Sequence, residues 1–464
     1  YVITSAQNST PVHEGFLSAL IEYCNSRDAR LMVIPYRYRN PTSLWNEKNI
    51  DEDWWWESLK PYLVDNKIQL CKGLQVLAQI KMQPTASKPL SGFESFTGSD
   101  SAIFGHPKLQ MKTVATPSKS MPKILSTTGS CTMNNNYTNS KAGHKGMFHH
   151  NLSALVVEVD HDKFHIRQIH GEDDTGSFYD IGYYHTPRGK STYGPIAGMV
   201  PGDFHAEFLD KQVEAATFSG PDSMVEVLKP EVMVYHDLED FYRRNHHHRN
   251  NDVIAYGKHH YGRNNVEEGL QISADFIDRY SRPDMINLIP ASNHVDAFDK
   301  WLNDCDPKLD QENAAFFHYM KFHQLRNTKI TDTGFSTINA FEFWCENPLD
   351  HRGLQSIDNT KFLKRDESYV VSGIEIGFHG DQGPNGSRGT LGQFAKIGPK
   401  NIIGHSHSPG IEEGAYQTGV CARLDLEYAN GPSSWLHTHC IIYPNGSRAL
   451  INIINGEWRA SYYS

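Results

Sequence analysis

At 464 residues the chain is too long for one ordinary core, so two domains, or one domain with large insertions, are expected. It is 38% hydrophobic and 21% charged and has no apolar run near the ~18 residues that span a bilayer, so it reads as soluble and globular. A net charge of −10 argues against a uniformly basic nucleic-acid coat but leaves room for a local basic stripe. Seven scattered cysteines, never in a C-x-x-C pair, fit neither a disulfide framework nor a cysteine zinc site, and point to a reducing cytoplasm. The chain opens at Tyr1 with no initiator Met, so any preceding segment and its targeting signal are unread.

In chain order, YVITSA, the helical pattern GFLSALIEYCNSRDA and LMVIPYRY predict a βαβ opening. Residues 81–150, rich in Ser, Thr, Asn and Gly, predict loops interrupted by strand-like pieces. SALVVEV and FHIRQI alternate around Asp160-His161-Asp162-Lys163, which predicts a hairpin. NNVEEGLQISADFIDRYSR places Val266, Leu270, Phe276, Ile277 and Tyr280 on one face of a helix that Pro283 ends. Two further helical patterns fall within 305–368, and GVCARLDLEYA, SWLHTHCIIY and RALINII predict a second sheet near the end. The fold class is therefore α/β. A separate N-terminal α/β domain over 1–190, accessory or assembling, precedes a second domain over 191–464 with a helical insertion at about 305–368.

From about residue 195, five apolar runs each end in a polar cluster: IAGMV before PGDFH, EVMVY before HDLED, MINLI before PASNH, YVVSGIEI before GFHGD, and KNII before GHSH. Ligands of open α/β sheets gather beyond the carboxyl ends of strands, so a site there would leave this series in the sequence. The candidates are Asp203, His205, Asp237, Asn293, His294, His379, His405 and His407. With 25 histidines, chance pairs are common; the grounds for these are order and context. Mixed carboxylate, imidazole and amide donors suit divalent ions of the Mn, Fe or Zn kind, and two ions need a bridging carboxylate. Asp237, the first carboxylate after its run, is preferred for that bridge over Asp240.

The order Asp-x-His, Asp, Asn-His, His, Gly-His-x-His resembles the calcineurin-like metallophosphoesterase superfamily, including its SbcD-like DNA nucleases, over roughly residues 195–460. The resemblance implies a two-sheet sandwich flanked by helices and two divalent ions, Mn²⁺ foremost, with Mg²⁺, Fe²⁺ or Zn²⁺ as alternatives. It implies Asp203, His205 and His407 on one ion, Asn293, His379 and His405 on the other, Asp237 between them, and His294 as the catalytic side chain beside the scissile phosphate. Ser292 stands where the superfamily usually has Gly. Val295 stands where an acidic residue commonly follows the His, which makes Asp296 the substitute partner for His294. With its N-terminal block (YVITSAQNSTPVHEGF, MVIPYRYRNP) the whole chain is also similar to the pre-early host-DNA-degradation and DNA-transfer proteins of T5-like bacteriophages. That likeness implies a metal-dependent DNase that hydrolyses double-stranded DNA in the host cytoplasm through a hydroxide activated by both ions. A phosphomonoesterase or small-nucleotide phosphodiesterase, and a non-catalytic DNA-binding or assembly protein on the same fold, are the alternatives; assembly into a homo-oligomer is left open.

Arg243, Arg244 and Arg249 read either as DNA-phosphate contacts or as a solvated helix or loop. Arg37 and Arg39 offer the same choice, with strand alternation the commoner cause, and Trp54-Trp55-Trp56 reads as packing.

Overall fold

The computed structural model describes residues 1–38, 54–117, 120–135, 137, 139–248, 251–426 and 431–460. Its opening is the expected βαβ unit: Val2–Gln7 and Leu31–Tyr36 run parallel, joined by the helix Glu14–Ser26. His13 caps that helix by accepting the Phe16 N–H, and Phe16, Leu20 and Tyr23 bury its apolar face. The predicted hairpin, Ser153–Asp160 and Lys163–His170, turns through His161 at φ 55° and completes a four-stranded sheet. Trp55 is buried in the core of this block with the Arg37 guanidinium 4.9 Å from its ring centroid; Arg39 lies outside the described residues.

Three of the five polar clusters follow strands of a six-stranded sheet, and the other two, with His379 and with His405 and His407, follow Ile374–Glu375 and Asn401–Ile403 of a ten-stranded one. Thr360–Leu363, Ile286–Pro290, Val232–Val234 and Gly198–Val200 lie side by side in parallel, and the antiparallel hairpin of Thr438–Ile442 and Arg448–Asn452 follows Gly198–Val200. The C-terminal runs therefore extend this sheet, Met199 opposite Ile441, instead of founding a second one. The described part of GVCARLDLEYA makes only single bridges, at Val420 and Ala422, because its backbone is engaged with the loop after Gly198–Val200: the Cys421 N–H donates to Asp203 O.

Strand alternation sorts the side chains into two layers. Met199, Met233, Ile289 and Ile441 face the helices, where Leu270, Phe298, Phe316 and Trp344 pack on them. Val200, Val232, Val234, Leu288 and Ile442 face the other way, onto a ten-stranded mixed sheet that supplies Ile103, Met111, Ile124, Ile374, Ile402 and Ile411. Those ten strands come from both halves of the chain: Met111–Val114 pairs with Gly410–Glu412, Lys112 opposite Gly410. The division expected at residue 190 is thus no boundary between separate cores, since the parts on either side share one sheet and one apolar interior. Strands of four or five residues, Ser101–Phe104, Met111–Val114 and Lys123–Thr127, are set among the loops of 81–150.

The 305–368 stretch holds the helices Ala314–Arg326 and Ala340–Glu346 with the hairpin of Lys329–Thr331 and Gly334–Ser336 between them, and it contributes the strand Thr360–Leu363 to the six-stranded sheet. It belongs to the long crossover that any parallel pair needs, here from Ile286–Pro290. No helix among the described residues is long and apolar enough to cross a membrane.

Candidate metal centre

All five polar clusters lie just past strand ends, and in three of them the chain turns through left-handed backbone: φ is 46° at His205, 45° at Asp237, 73° at His405 and 59° at His407. Each such non-glycine residue costs roughly 1–3 kcal/mol, and their concentration in one place marks a functional site. Between Asp203 and His205, Phe204 points the other way, against Tyr235 and Phe276. Gly404 is required by crowding: a Cβ there would stand 2.2 Å from Asp203 Oδ1.

Donor atoms of Asp203, His205, Asp237 and His407 all lie within 4.8 Å of one another; those of Asp237, His379 and His405 form a second such group, and Asp237 belongs to both. His407 Nε2 is 3.1 Å from Asp203 Oδ2 and 3.1 Å from His205 Nε2, and His379 Nε2 is 3.0 Å from Asp237 Oδ2. Two ligands each about 2.1 Å from one ion keep about this separation. Asp203 Oδ1 and Asp237 Oδ1 are buried and make no hydrogen bond among the described residues. Each such orphan costs about 1–3 kcal/mol, so two in one cluster fit cation ligands better than structural groups. Burial holds His405 and His407 below their ordinary pKa, which leaves neutral imidazoles, the form that binds metal. Burial pushes the Asp203 and Asp237 carboxyls up, but His379 and the other imidazoles around them more than offset it, so both stay ionised.

Asp240 organises the site from behind. Its Oδ1 accepts the Nδ1–H of His205 at 2.6 Å and lies 3.1 Å from His294 Nδ1, which also donates to Asp240 O at 2.9 Å. Both rings are thereby fixed with Nε2 toward the centre. The orienting partner of His294 is therefore Asp240 and not Asp296. In the helix Asn293–Asp304, Val295 turns into the core, and Asp296, one step round, faces out to Arg365 at 2.6 Å. We expect Asp240→Asn to lower Mn²⁺ affinity or turnover about 10- to 100-fold with an unchanged circular dichroism spectrum. An effect under twofold would remove Asp240 from the site's support.

His294, 20% exposed, is open to a substrate, as is the partly exposed His405. Burial opposes protonation of His294, but Asp237 and Asp240 prevail and hold its pKa at about 10. Asn293 is exposed in the first turn of the same helix, whose cap Ser292 accepts the Val295 N–H, and it lines a 580 Å³ cavity with His294, His246, Lys300 and Arg365. His236 is a wall: fully buried, neutral with its pKa at about 4 through burial, Nδ1 3.3 Å from His379 Nδ1. Sequence reasoning missed Glu239, whose buried carboxylate accepts the Phe241 N–H and the Ser273 hydroxyl, both at 2.7 Å, and so braces the Asp237 loop.

The basic run is not placed as a DNA contact. Arg243 is buried, donating to Glu207 at 2.8 Å, Glu268 at 2.5 Å and Asn265 O at 2.9 Å. Arg244 forks onto Asp310 at 2.6 and 2.7 Å. Both guanidiniums are committed to carboxylates of the protein itself; Arg249 lies outside the described residues.

No protein-family model matches the chain, and no solved structure does. Protein A1 of Escherichia phage T5 is similar to it, 34% identical over 473 aligned positions that cover 99% of this chain and 83% of that protein. An identity of that size over nearly the whole length places this chain in one family with phage T5 protein A1.

Proposed function

We propose that this protein is a divalent-metal-dependent nuclease that hydrolyses phosphodiester bonds of DNA, serving phage-directed breakdown of host DNA. The observation that carries the chemistry is the shared carboxylate: two groups of buried acid and imidazole donors meet at Asp237. The partition supports the ligand sets that the motifs' resemblance implies, Asp203, His205 and His407 on one side and His379 and His405 on the other, while Asn293, the third member of the second set, lies exposed on the cavity wall. The helix-flanked packing of the six- and ten-stranded sheets agrees with their sandwich.

When bound, the two ions supply Lewis acidity, which lowers the pKa of water and offsets charge on the phosphoryl oxygens. The protein's own groups do the rest. Asp240 orients His205 and His294, and His294, its Nδ1 held by Asp240, presents Nε2–H to the leaving oxygen as a general acid. His246 and Lys300, whose Nε2 and Nζ stand 3.3 Å apart on the cavity rim, offer contacts to flanking phosphates. DNA as the substrate is supported by the likeness to DNA nucleases and by this rim, and kinship with a phage protein supports the setting.

Purified protein is expected to degrade linear or circular duplex DNA with Mn²⁺, to stop in chelator, and to resume when Mn²⁺ is restored. Cleavage that persists in chelator would sink the metal requirement. Intact DNA alongside hydrolysed p-nitrophenyl phosphate would favour a monoesterase instead.

A further inference from the structure

The segment that follows His379, DQGPNGSRG over 381–389, is exposed or partly exposed at every position but Gly389. It is built as a short hairpin and not as slack chain. The Gly383 N–H donates to Ser387 O at 2.7 Å and the Gly389 N–H to Asp381 O at 2.8 Å, around a tip where Asn385 and Gly386 take left-handed backbone, φ 59° and 72°. From the helical turn Leu391–Phe394, the Gln393 amide donates to the Ser387 hydroxyl at 3.2 Å. A Cβ on Gly389 would stand 1.9 Å from Gly380 O, so only glycine closes the base of the loop. At its root Arg365 donates to Asp381 and, at 2.6 Å, to Asp296 of the helix that carries His294. The loop is thereby fixed against the wall that carries His294.

The cavity beside His294 is lined by three carboxylates, Asp240, Asp296 and Asp381, and by Gln382 of this loop. Each carboxylate already has a cation or an N–H donor on it: Asp240 holds His205 and His294, and Arg365 holds the other two. Gln382 stands directly opposite Arg388 in an antiparallel bridge. Residues paired in this way project from the same face with Cβ atoms about 4.5–5.5 Å apart, so Arg388 leaves the loop on the side that Gln382 turns to the cavity. Arg388 is exposed, and its guanidinium makes no hydrogen bond, ion pair or ring contact with any described residue. Arg243 and Arg244, by contrast, are held by Glu207, Glu268 and Asp310. An uncommitted guanidinium on a braced loop is pre-organised for an anion, and its planar fork suits a phosphate.

We infer that Arg388 binds a DNA phosphate next to the scissile one, so that the strand is held from the His379 loop as well as from His246 and Lys300. The assignment rests on DNA as the substrate of the metal centre. Fluorescence anisotropy of a short labelled duplex with the full chain, in chelator so that cleavage does not interfere, tests it between about 50 and 200 mM salt. Arg388→Gln should bind about tenfold more weakly whatever the duplex sequence, and should flatten the dependence of log affinity on log salt by about 0.9, the share of one phosphate contact. Arg388→Lys keeps the charge and should keep the slope. Arg188→Gln removes the same charge from the turn between Tyr183–Thr186 and Gly189–Thr192, and should bind like wild type. An unchanged slope in Arg388→Gln, a flattened one in Arg388→Lys, an equal loss in Arg188→Gln, or a loss confined to one duplex sequence overturns the phosphate contact. Wild-type chain that binds no duplex overturns DNA as the substrate together with Arg388, whereas duplex binding that is the same in wild type and Arg388→Gln removes Arg388 alone.

Discussion

Replacing Asp237 with Asn is expected to cut Mn²⁺-dependent hydrolysis of bis(p-nitrophenyl) phosphate by about three orders of magnitude. Asn keeps the size and shape of the side chain, so packing is preserved, while the negative charge and one of the two oxygens at the position common to both groups are lost. Charge stabilisation by bound ions is worth several kcal/mol, and about 4 kcal/mol corresponds to a thousandfold in rate. Thermal denaturation supplies a readout independent of turnover. A ligand present at about a hundred times its dissociation constant adds roughly 2.7 kcal/mol to stability. Mn²⁺ should therefore raise the wild-type melting temperature and leave Asp237→Asn nearly unmoved. Turnover within tenfold of wild type, with the Mn²⁺ shift intact, would take Asp237 out of the bridge and return Asp240 to that role. The two carboxylates thus predict different losses: the bridge carries the charge that the ions need, whereas Asp240 holds two rings in position and costs one or two decades at most.

The cluster of acid and imidazole side chains that could hold metal was legible in the sequence because its donor types are few and each follows an apolar run. Chain order alone placed Asp203 and Asp237 past neighbouring strands of the six-stranded sheet and His405 past a strand of the ten-stranded one. What the sequence hid was the support behind the donors. Asp296 was the natural partner for His294 by adjacency, yet one step along a helix rotates a side chain by about 100°. The actual partner, Asp240, arrives from another loop, 54 residues away. The partners of Arg243 and Arg244 were hidden for the same reason: Glu207, Glu268 and Asp310 stand 36, 25 and 66 residues off. Period and capping made the helix Val266–Tyr280 readable, since both are local. The pairing of Met111–Val114 with Gly410–Glu412 was not readable, because short, half-buried strands carry no mark of a partner some 300 positions on.

The largest loss of stability is expected away from the site, at Arg167. On the strand Lys163–His170 its guanidinium is 3% exposed, forking onto Asp180 at 2.6 and 2.8 Å and donating to Glu158. Tyr23 from the first helix also donates to Asp180, at 2.7 Å, and the Ala460 N–H donates to Glu158 at 2.9 Å, so one cation ties four parts of the chain together. Arg167→Ala leaves two buried carboxylates without their cation, which should cost about 3–5 kcal/mol in urea unfolding at pH 7. Changing the whole cluster together, Arg167→Met with Glu158→Gln and Asp180→Asn, should recover much of that loss, because the penalty lies in uncompensated charge. Acid provides the second test. Burial alone would push the Asp180 carboxyl up, and Arg167 reverses this to leave it at about 2, below the roughly 3.9 of an unfolded chain. Its contribution is complete above pH ~4 and lost as the pH falls toward 2. In Arg167→Ala the unpaired carboxyls take up protons more readily, and the penalty fades with them. The gap between wild type and variant should therefore narrow from pH 7 to pH 3; a gap independent of pH would mean that Arg167 acts through packing and not through charge.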